Sequence, residues 1–419
     1  MTTDLIPEKI KRLAITIASD VPAMSVSAEL IKESGYTFSY LRDDSSQASA
    51  SLLLRPKQLT FNDSELFPSM DMNLPEGFLL QRIFEMFPKR KLNKMHLLAM
   101  MGDNAIGRVG YFLPERQAPT VRHTLSKATL LKTPFSDMLF RDLVNTYLST
   151  GIGISGVQPK IMIPSKASLP IPDLIVKAAG AEFPGLAANE YLCLSVARAA
   201  EMIVPNFDLS DDGNLLVIDR FDVTEQGQRI GFEDMASLMD LRVNDRLDNR
   251  KYFGNYQYLA EIIGQFSSQA AQDRLAFFEQ LSLSIMVRNG DAHLKNFGML
   301  YQGKNDSSVR LSPLYDVVTT TIYKFERPGG FEDIDRTMAL KLQKGRHGSR
   351  SYPTRKELLE FGRSVCGVVA PEKTLQRISD AMSQILQEAK QDSRIDPSLY
   401  TNMAKEWAVG ITLGSDSAH

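Results

Sequence analysis

The stretch Met286-Val-Arg-Asn-Gly-Asp-Ala-His-Leu-Lys-Asn-Phe-Gly-Met-Leu300 constrains this chain more than any other, because it sets a short polar interruption between two apolar runs. Residues 275–287 are apolar on most sides, which predicts a buried helix delivering the polar loop that follows. Asp291 and Asn296 stand five positions apart. That is the spacing of a phosphotransfer loop, in which Asp accepts a hydroxyl proton and Asn holds a magnesium ion. A second metal carboxylate is expected shortly downstream, and Leu311-Ser-Pro-Leu-Tyr-Asp-Val317 supplies Asp316. An Asn-Gly-Asp turn after a helix satisfies ordinary turn chemistry just as well, so other features must decide.

Composition narrows the field. A chain of 419 residues with 43% hydrophobic and 23% charged residues reads as two or three globular domains. Its net charge of -2 argues against a broad nucleic-acid or membrane surface. Cys193 and Cys366 fall in apolar helical patterns, which suits a reducing compartment and no disulfide framework. The first residues lack a signal-peptide pattern, and no run approaches the ~20 apolar residues of a membrane span, so a cytoplasmic location is expected. The five histidines show no metal-ligand spacing, so any metal should be magnesium on oxygen ligands.

In chain order, residues 1–115 read as a small mixed α/β subdomain, with strands at 13–17, 36–40, 51–54 and 107–113 and helices at 75–87 and 92–101. Residues 114–134 have linker composition, and a helix is expected from Ser136 to near 150. Gly151-Ile-Gly-Ile-Ser-Gly-Val-Gln-Pro-Lys160 then offers three glycines in six residues before a strand, which suits a loop whose backbone approaches an anion. Lys160 and Lys177, the latter ending a second strand, are placed to bring ammonium groups to phosphates. Glu190, near the start of a helix at 188–200, is a candidate to orient Lys177. The strand at 214–219 runs into Asp219 and Phe221, a possible adenine hinge. From 231 onward the pattern is almost wholly helical, interrupted by a short strand at 298–301 and a polar turn at 303–308 that would bring Asp316 back towards Asn296.

Taken in order, Gly156-Val-Gln-Pro-Lys160, Ile175-Val-Lys177, Asn189-Glu-Tyr191, Asp219-Arg-Phe-Asp222, Glu233-Asp-Met235, Asn289-Gly-Asp-Ala-His-Leu-Lys-Asn-Phe297 and Pro313-Leu-Tyr-Asp316 resemble the HipA family of bacterial serine/threonine kinase toxins over roughly residues 36 to 390. The resemblance implies an α+β, protein-kinase-like two-lobe fold: an extra N-terminal subdomain (1–115), an N-lobe core with the glycine-rich loop (135–225) and an all-helical C-lobe (226–419). It implies that ATP is bound by Gly153, Ile154, Ser155, Gly156, Val157, Lys160, Lys177, Asp219, Phe221 and Glu233. Asp291 would be the catalytic base, Asn296 and Asp316 the Mg²⁺ ligands, and His293 a group shaping the same loop.

The implied activity is transfer of the ATP γ-phosphate to a protein of the translation machinery, with an aminoacyl-tRNA synthetase as candidate target. The implied partner is a helix-turn-helix antitoxin, through which DNA would be reached only indirectly. A small-molecule phosphotransferase and a non-enzymatic member of a DNA-bound repressor complex are the alternatives. Two departures stand out. Gly153 occupies the position of the family's usual autophosphorylated serine, which leaves Ser155 as the candidate, and Pro159 replaces a frequent acid.

Overall fold

Apolar side chains on alternate residues of Arg12–Ile17, Val26–Lys32 and Tyr36–Tyr40 build the first sheet in the computed structural model of the chain. The structure describes residues 7–18, 26–44, 47–102, 105–114, 126–136, 160–163, 165, 173–178, 180, 183–243, 250–327, 330–345 and 349–415. The chain divides into two units: residues 1–178, 217–250 and 300–309, and residues 179–216, 251–299 and 310–419.

In the first unit, β1 (Arg12–Ile17), β2 (Val26–Lys32), β3 (Tyr36–Tyr40), β4 (Thr60–Asp63) and β5 (Val109–Phe112) form an antiparallel sheet in the order β4-β3-β2-β1-β5. Leu13 lies opposite Leu30, Leu30 opposite Phe38 and Phe38 opposite Phe61, and the first three are fully buried. A one-residue slip would turn this row to solvent, so the apolar pattern itself pins the register. Helices α1 (Pro68–Asp71), α2 (Gly77–Met86) and α3 (Lys94–Met101) follow β4. In α3, Met95, Leu98 and Met101 are buried, and Asn93 Oδ1 accepts from the His96 backbone N–H.

Two expectations fail here. Residues 51–54 are not a strand, although Leu52 and Leu54 are buried and Leu53 is exposed. Their backbone is satisfied by side chains instead: Leu52 N–H donates to Glu233 at 2.9 Å, and Leu54 C=O accepts from the Tyr40 hydroxyl. The expected linker also contains a helix, α4 (Lys127–Lys132), started by Ser126 Oγ accepting from Thr129 N–H at 3.1 Å.

A second group of strands comprises β6 (Lys160–Ile163), β7 (Leu174–Ala178), β8 (Phe207–Leu209) and β9 (Leu215–Asp219). In the first unit β7 pairs with β6, Lys160 opposite Lys177, and its other neighbour is the end of β9. In the second unit, β8 and the start of β9 form a hairpin closed by Ser210 N–H to Leu215 C=O at 2.8 Å. Helix α5 (Leu186–Ala199) begins two residues before the expected start, which puts the fully buried Glu190 beyond its first turn.

Residues 226–419 are not all helical. Among the described residues they carry β10 (Gly231–Asp234), β11 (Gly298–Gln302), β12 (Ser308–Leu311), β13 (Phe325–Arg327) and β14 (Phe331–Asp333). All four residues of β10 are buried, so it lacks the alternation by which a half-buried strand is recognised.

In the second unit, α7 (Tyr256–Phe266), α8 (Ala270–Met286), α9 (Arg355–Ser364), α10 (Pro371–Ala389) and α11 (Pro397–Gly414) follow the short α6 (Met235–Leu238) of the first unit. Helix α8 touches α7, α9, α10 and α11 and buries Phe277, Phe278, Leu281, Leu283, Ile285 and Met286. At roughly 1.5–3 kcal/mol for each large apolar side chain buried, this helix anchors the unit. Trp407 of α11 is fully buried and donates from Nε1 to Thr319 Oγ1 at 2.8 Å. Among the described residues, no helix is long and apolar enough to cross a membrane.

Candidate active site

Helix α8 ends in a tight reversal that begins the polar loop. Val287 N–H donates to Leu283 C=O at 2.8 Å, and Asn289 N–H donates back to Ser284 C=O at 2.8 Å. Between them Arg288 adopts φ +61, the left-handed cap conformation more often given to glycine. The buried Asn289 then turns Oδ1 onto Asp291 N–H at 3.0 Å, the bond by which asparagine imitates a backbone turn. Gly290 donates to Thr320 Oγ1 at 2.7 Å, and a Cβ there would stand 2.6 Å from Thr337 C=O. Only glycine fits that approach without a shift.

Asp291 sits at the tip, its side chain 52% exposed. Its Oδ1 accepts from the Tyr252 hydroxyl at 2.7 Å, and its Oδ2 lies 4.0 Å from His293 Nε2. His293 N–H donates to Asp291 C=O at 2.7 Å and to Asn296 Oδ1 at 2.9 Å. The turn Leu294–Asn296 closes with Asn296 N–H on His293 C=O at 3.0 Å. Aromatic rings support the loop from below. Tyr256 donates from its hydroxyl to Ala292 C=O at 2.9 Å and meets Phe297 edge-on, and Phe297 meets Phe277 of α8 the same way.

Burial, together with the nearby Lys251 and Lys295 charges, holds the His293 imidazole well below its ordinary pKa, against an opposing pull from Asp316. The ring's buried Nδ1 has no hydrogen-bond partner among the described residues. It meets the Tyr252 ring edge-on at 5.4 Å.

Asp316 reaches the same place from β12. Ser312 N–H bonds Gly298 C=O at 2.9 Å, and the Tyr315 hydroxyl donates to Lys295 C=O at 2.7 Å, so the neighbours of Asp316 and Asn296 are tied together. Asp316 has φ +52, a conformation aspartate tolerates better than most residues. Downstream, Thr319 is held by Asn189, which accepts its N–H at 2.8 Å and donates to its C=O at 3.0 Å. The second unit therefore gathers Asp291, His293, Asn296 and Asp316.

The first unit holds most of the other expected residues. Lys177, on β7, is 2% exposed. Asp219 accepts from Lys127 Nζ at 2.8 Å, and Phe221 meets Phe232 at 5.6 Å. Glu233 is fully buried and accepts from Ser51 Oγ at 3.0 and 2.9 Å, Leu52 N–H at 2.9 Å and Ser237 Oγ at 2.6 Å. Its carboxylate thus fastens the 51–54 turn to β10 and α6. Burial outweighs these bonds and pushes its pKa up to about 7. Gly153, Ile154, Ser155, Gly156 and Val157 lie outside the described residues.

The donor chemistry bears on the expected metal. Asn296 Oδ1 accepts one N–H and keeps a second lone pair, and Asp316 adds a carboxylate, so the pair offers oxygen ligands only. Among the described residues no group of three or more His, Cys, Asp or Glu could hold a metal. A cation at Asn296 and Asp316 would need further oxygens from water or a phosphate, which fits Mg²⁺ and not zinc. Tyr252, Tyr256 and Thr320 were not anticipated, and Tyr315 was read only as part of the Pro313–Asp316 block, with no role of its own. Each acts across a long sequence separation, and no local spacing signals it.

A family model described as the HipA N-terminal domain matches residues 25–112, and one described as the HipA-like C-terminal domain matches residues 152–392. A Sinorhizobium fredii protein named "Putative kinase Y4dM" is 31% identical over 36% of this chain and 38% of its own length. A Haemophilus influenzae protein named "Putative kinase" is 28% identical over 45% of this chain and 59% of its own length, so the chain spans less than two thirds of both relatives. The HipA of Shewanella oneidensis MR-1, solved in complex with HipB and its operator DNA, superposes with a TM-score of 0.70 over 96% of each chain at 16% identity, a likeness of fold. With the C-terminal model alone covering more than half of its residues, the chain belongs to the HipA family.

Proposed function

We propose that the chain is an ATP- and Mg²⁺-dependent serine/threonine protein kinase acting as a HipA-like toxin. The observation that carries this reading is the anchoring of Asp291 and Asn296 on one rigid loop, with Asp316 tied to it through Tyr315. The family membership and the kinase names of the relatives support it.

Asp291 accepts the proton of the acceptor hydroxyl as that oxygen attacks the γ-phosphorus and the bond to ADP breaks. Its half-exposed carboxylate, at the tip of a loop fixed by Asn289 and Tyr256, suits a base that must meet a protein substrate. Lys177, with Lys160 opposite it in the ladder, neutralises the α and β phosphates. Bound through Asn296 and Asp316, Mg²⁺ would neutralise phosphate charge. Little covalent work falls to the protein in such a reaction, so positioning and charge dominate.

The target is a protein of the translation machinery, with an aminoacyl-tRNA synthetase as candidate. A helix-turn-helix antitoxin restrains the kinase and links it to DNA, as the pairing of HipA with HipB and operator DNA in the solved complex suggests. Ser155 is the candidate for inactivating autophosphorylation. The test is phosphoproteomics after brief expression of the wild type against Asp291→Asn. Loss of the phosphorylated target in the variant, at unchanged fold, is expected, with a fall of ~10²–10⁴-fold for removal of a general base. Full transfer by Asp291→Asn would refute the assignment. Labelling of small molecules alone in lysate would favour a small-molecule phosphotransferase.

A further inference from the structure

From the contact between the Tyr252 hydroxyl and Asp291, we propose that Tyr252 is a phosphoryl acceptor within the chain itself, a tyrosine autophosphorylation site. This rests on the reading of Asp291 as the base of a phosphotransferase. A base must lie about 2.6–3.2 Å from the hydroxyl whose proton it takes. Tyr252 Oη lies 2.7 Å from Asp291 Oδ1 with its proton directed at the carboxylate. The phenol thus occupies, in the free protein, the position that a substrate hydroxyl must reach.

The surroundings favour this role. The Tyr252 ring is steadied by His293, edge-on at 5.4 Å, while the chain just after it is open: Phe253 is 58% exposed and Gly254 has φ +88 before Asn255 caps α7. Lys251 Nζ stands 5.2 Å from the Tyr252 ring centre, a positive charge over the face of the phenol. A phenol is also more acidic than an aliphatic hydroxyl, so less is asked of the base.

In the step, the Tyr252 O–H proton passes to Asp291 Oδ1 and the phenolate oxygen forms a bond to the γ-phosphorus of a nucleoside triphosphate. The bond from that phosphorus to the β-phosphate oxygen breaks, the nucleoside diphosphate leaves, and Asp291 returns its proton to water. The phosphotyrosine, now anionic, is repelled by Asp291 and must swing away, which the glycine at 254 permits.

The experiment incubates the purified full-length chain with ATP and magnesium, alongside Tyr252→Phe and Asp291→Asn, and maps phosphate by mass spectrometry. Phosphotyrosine at 252 in the wild type, absent from both variants and forming at a rate independent of protein concentration, is the expected result. Phosphate on another residue or on added protein, with Tyr252 bare, overturns this site while the kinase reading stands. Labelling of Tyr252 only between molecules, with a rate that rises with concentration, overturns its role as acceptor in its own chain. Phosphotransfer to nothing at all overturns both.

Discussion

Replacing Gly410 with alanine tests whether the loop at 289–296 is held from more than a hundred residues away. Gly410, on α11, faces the end of α8: a Cβ there would lie 1.9 Å from Met286 C=O and 2.6 Å from its carbonyl carbon, where real Cβ contacts essentially never fall below 3.0 Å. The two helix backbones must therefore part by about 1 Å in a close-packed interior. Overpacking costs ~1–3 kcal/mol, and with rigid helix backbone on both sides the upper end applies. Alanine's better helix propensity returns at most ~1 kcal/mol. The net loss of about 2 kcal/mol lowers Tm by roughly 4–8 °C, readable by calorimetry.

Met286 is three residues from Asn289, so the displacement passes into the loop, where, on the proposed phosphotransfer role, a misplacement of about 1 Å costs ~10²-fold in turnover. Gly414→Ala is the control. Its Cβ would meet Ser379 Cβ at 2.3 Å and Leu375 C=O at 2.6 Å, which strains α11 against α10 and leaves α8 alone. It should lose stability and keep amide-exchange protection at 289–296, whereas Gly410→Ala loses both. A Gly410→Ala protein that melts with the wild type, or one whose loop amides stay protected, would refute the mechanism.

Two further perturbations probe the first unit. Glu233 carries a folded pKa raised from 4.5 to about 7, so the stability it contributes is full below 4.5 and is lost as pH rises through 7. Glu233→Gln keeps the bonds to Ser51, Leu52 and Ser237 by turning the two hydroxyls. Its unfolding free energy should therefore gain on the wild type between pH 4.5 and 7, by on the order of 3 kcal/mol at most, and parallel curves would refute this. Arg108 and Asp306 form a buried pair at 2.6 Å. Arg108→Met should cost ~3–5 kcal/mol in urea unfolding by stranding the carboxylate, and adding Asp306→Asn should recover part of that loss.

The residues that proved legible in sequence are those whose relations are local. Asn289 to Asn296 form one turn whose bonds run two or three positions, and β11 and β12 return the chain towards it over a short polar turn. Helix α8 announces itself by an apolar run on most of its sides, and α9 and α10 by apolar residues recurring on one face. What escaped is decided by distant partners. Residues 51–54 have the alternation of a strand, yet Glu233, nearly two hundred positions on, takes the backbone bond a neighbouring strand would have taken. Strand β2 alternates as well, but its Ser, Ala, Glu and Lys are weak strand formers, and pairing with β1 and β3 overrides their preference. Tyr252 carries no motif and reaches Asp291 only through the fold.

The packing of Gly410 on Met286 also fixes an order in time. On the ribosome, Asn296 is joined to the chain well before α11 exists, and at about 5–20 residues per second the interval to Gly414 is roughly 6–24 s. Throughout that interval α8 has been made but lacks the helix that braces its last turn. A newly made molecule therefore completes the packing that holds residues 289–296 only as the last helix of the chain is added.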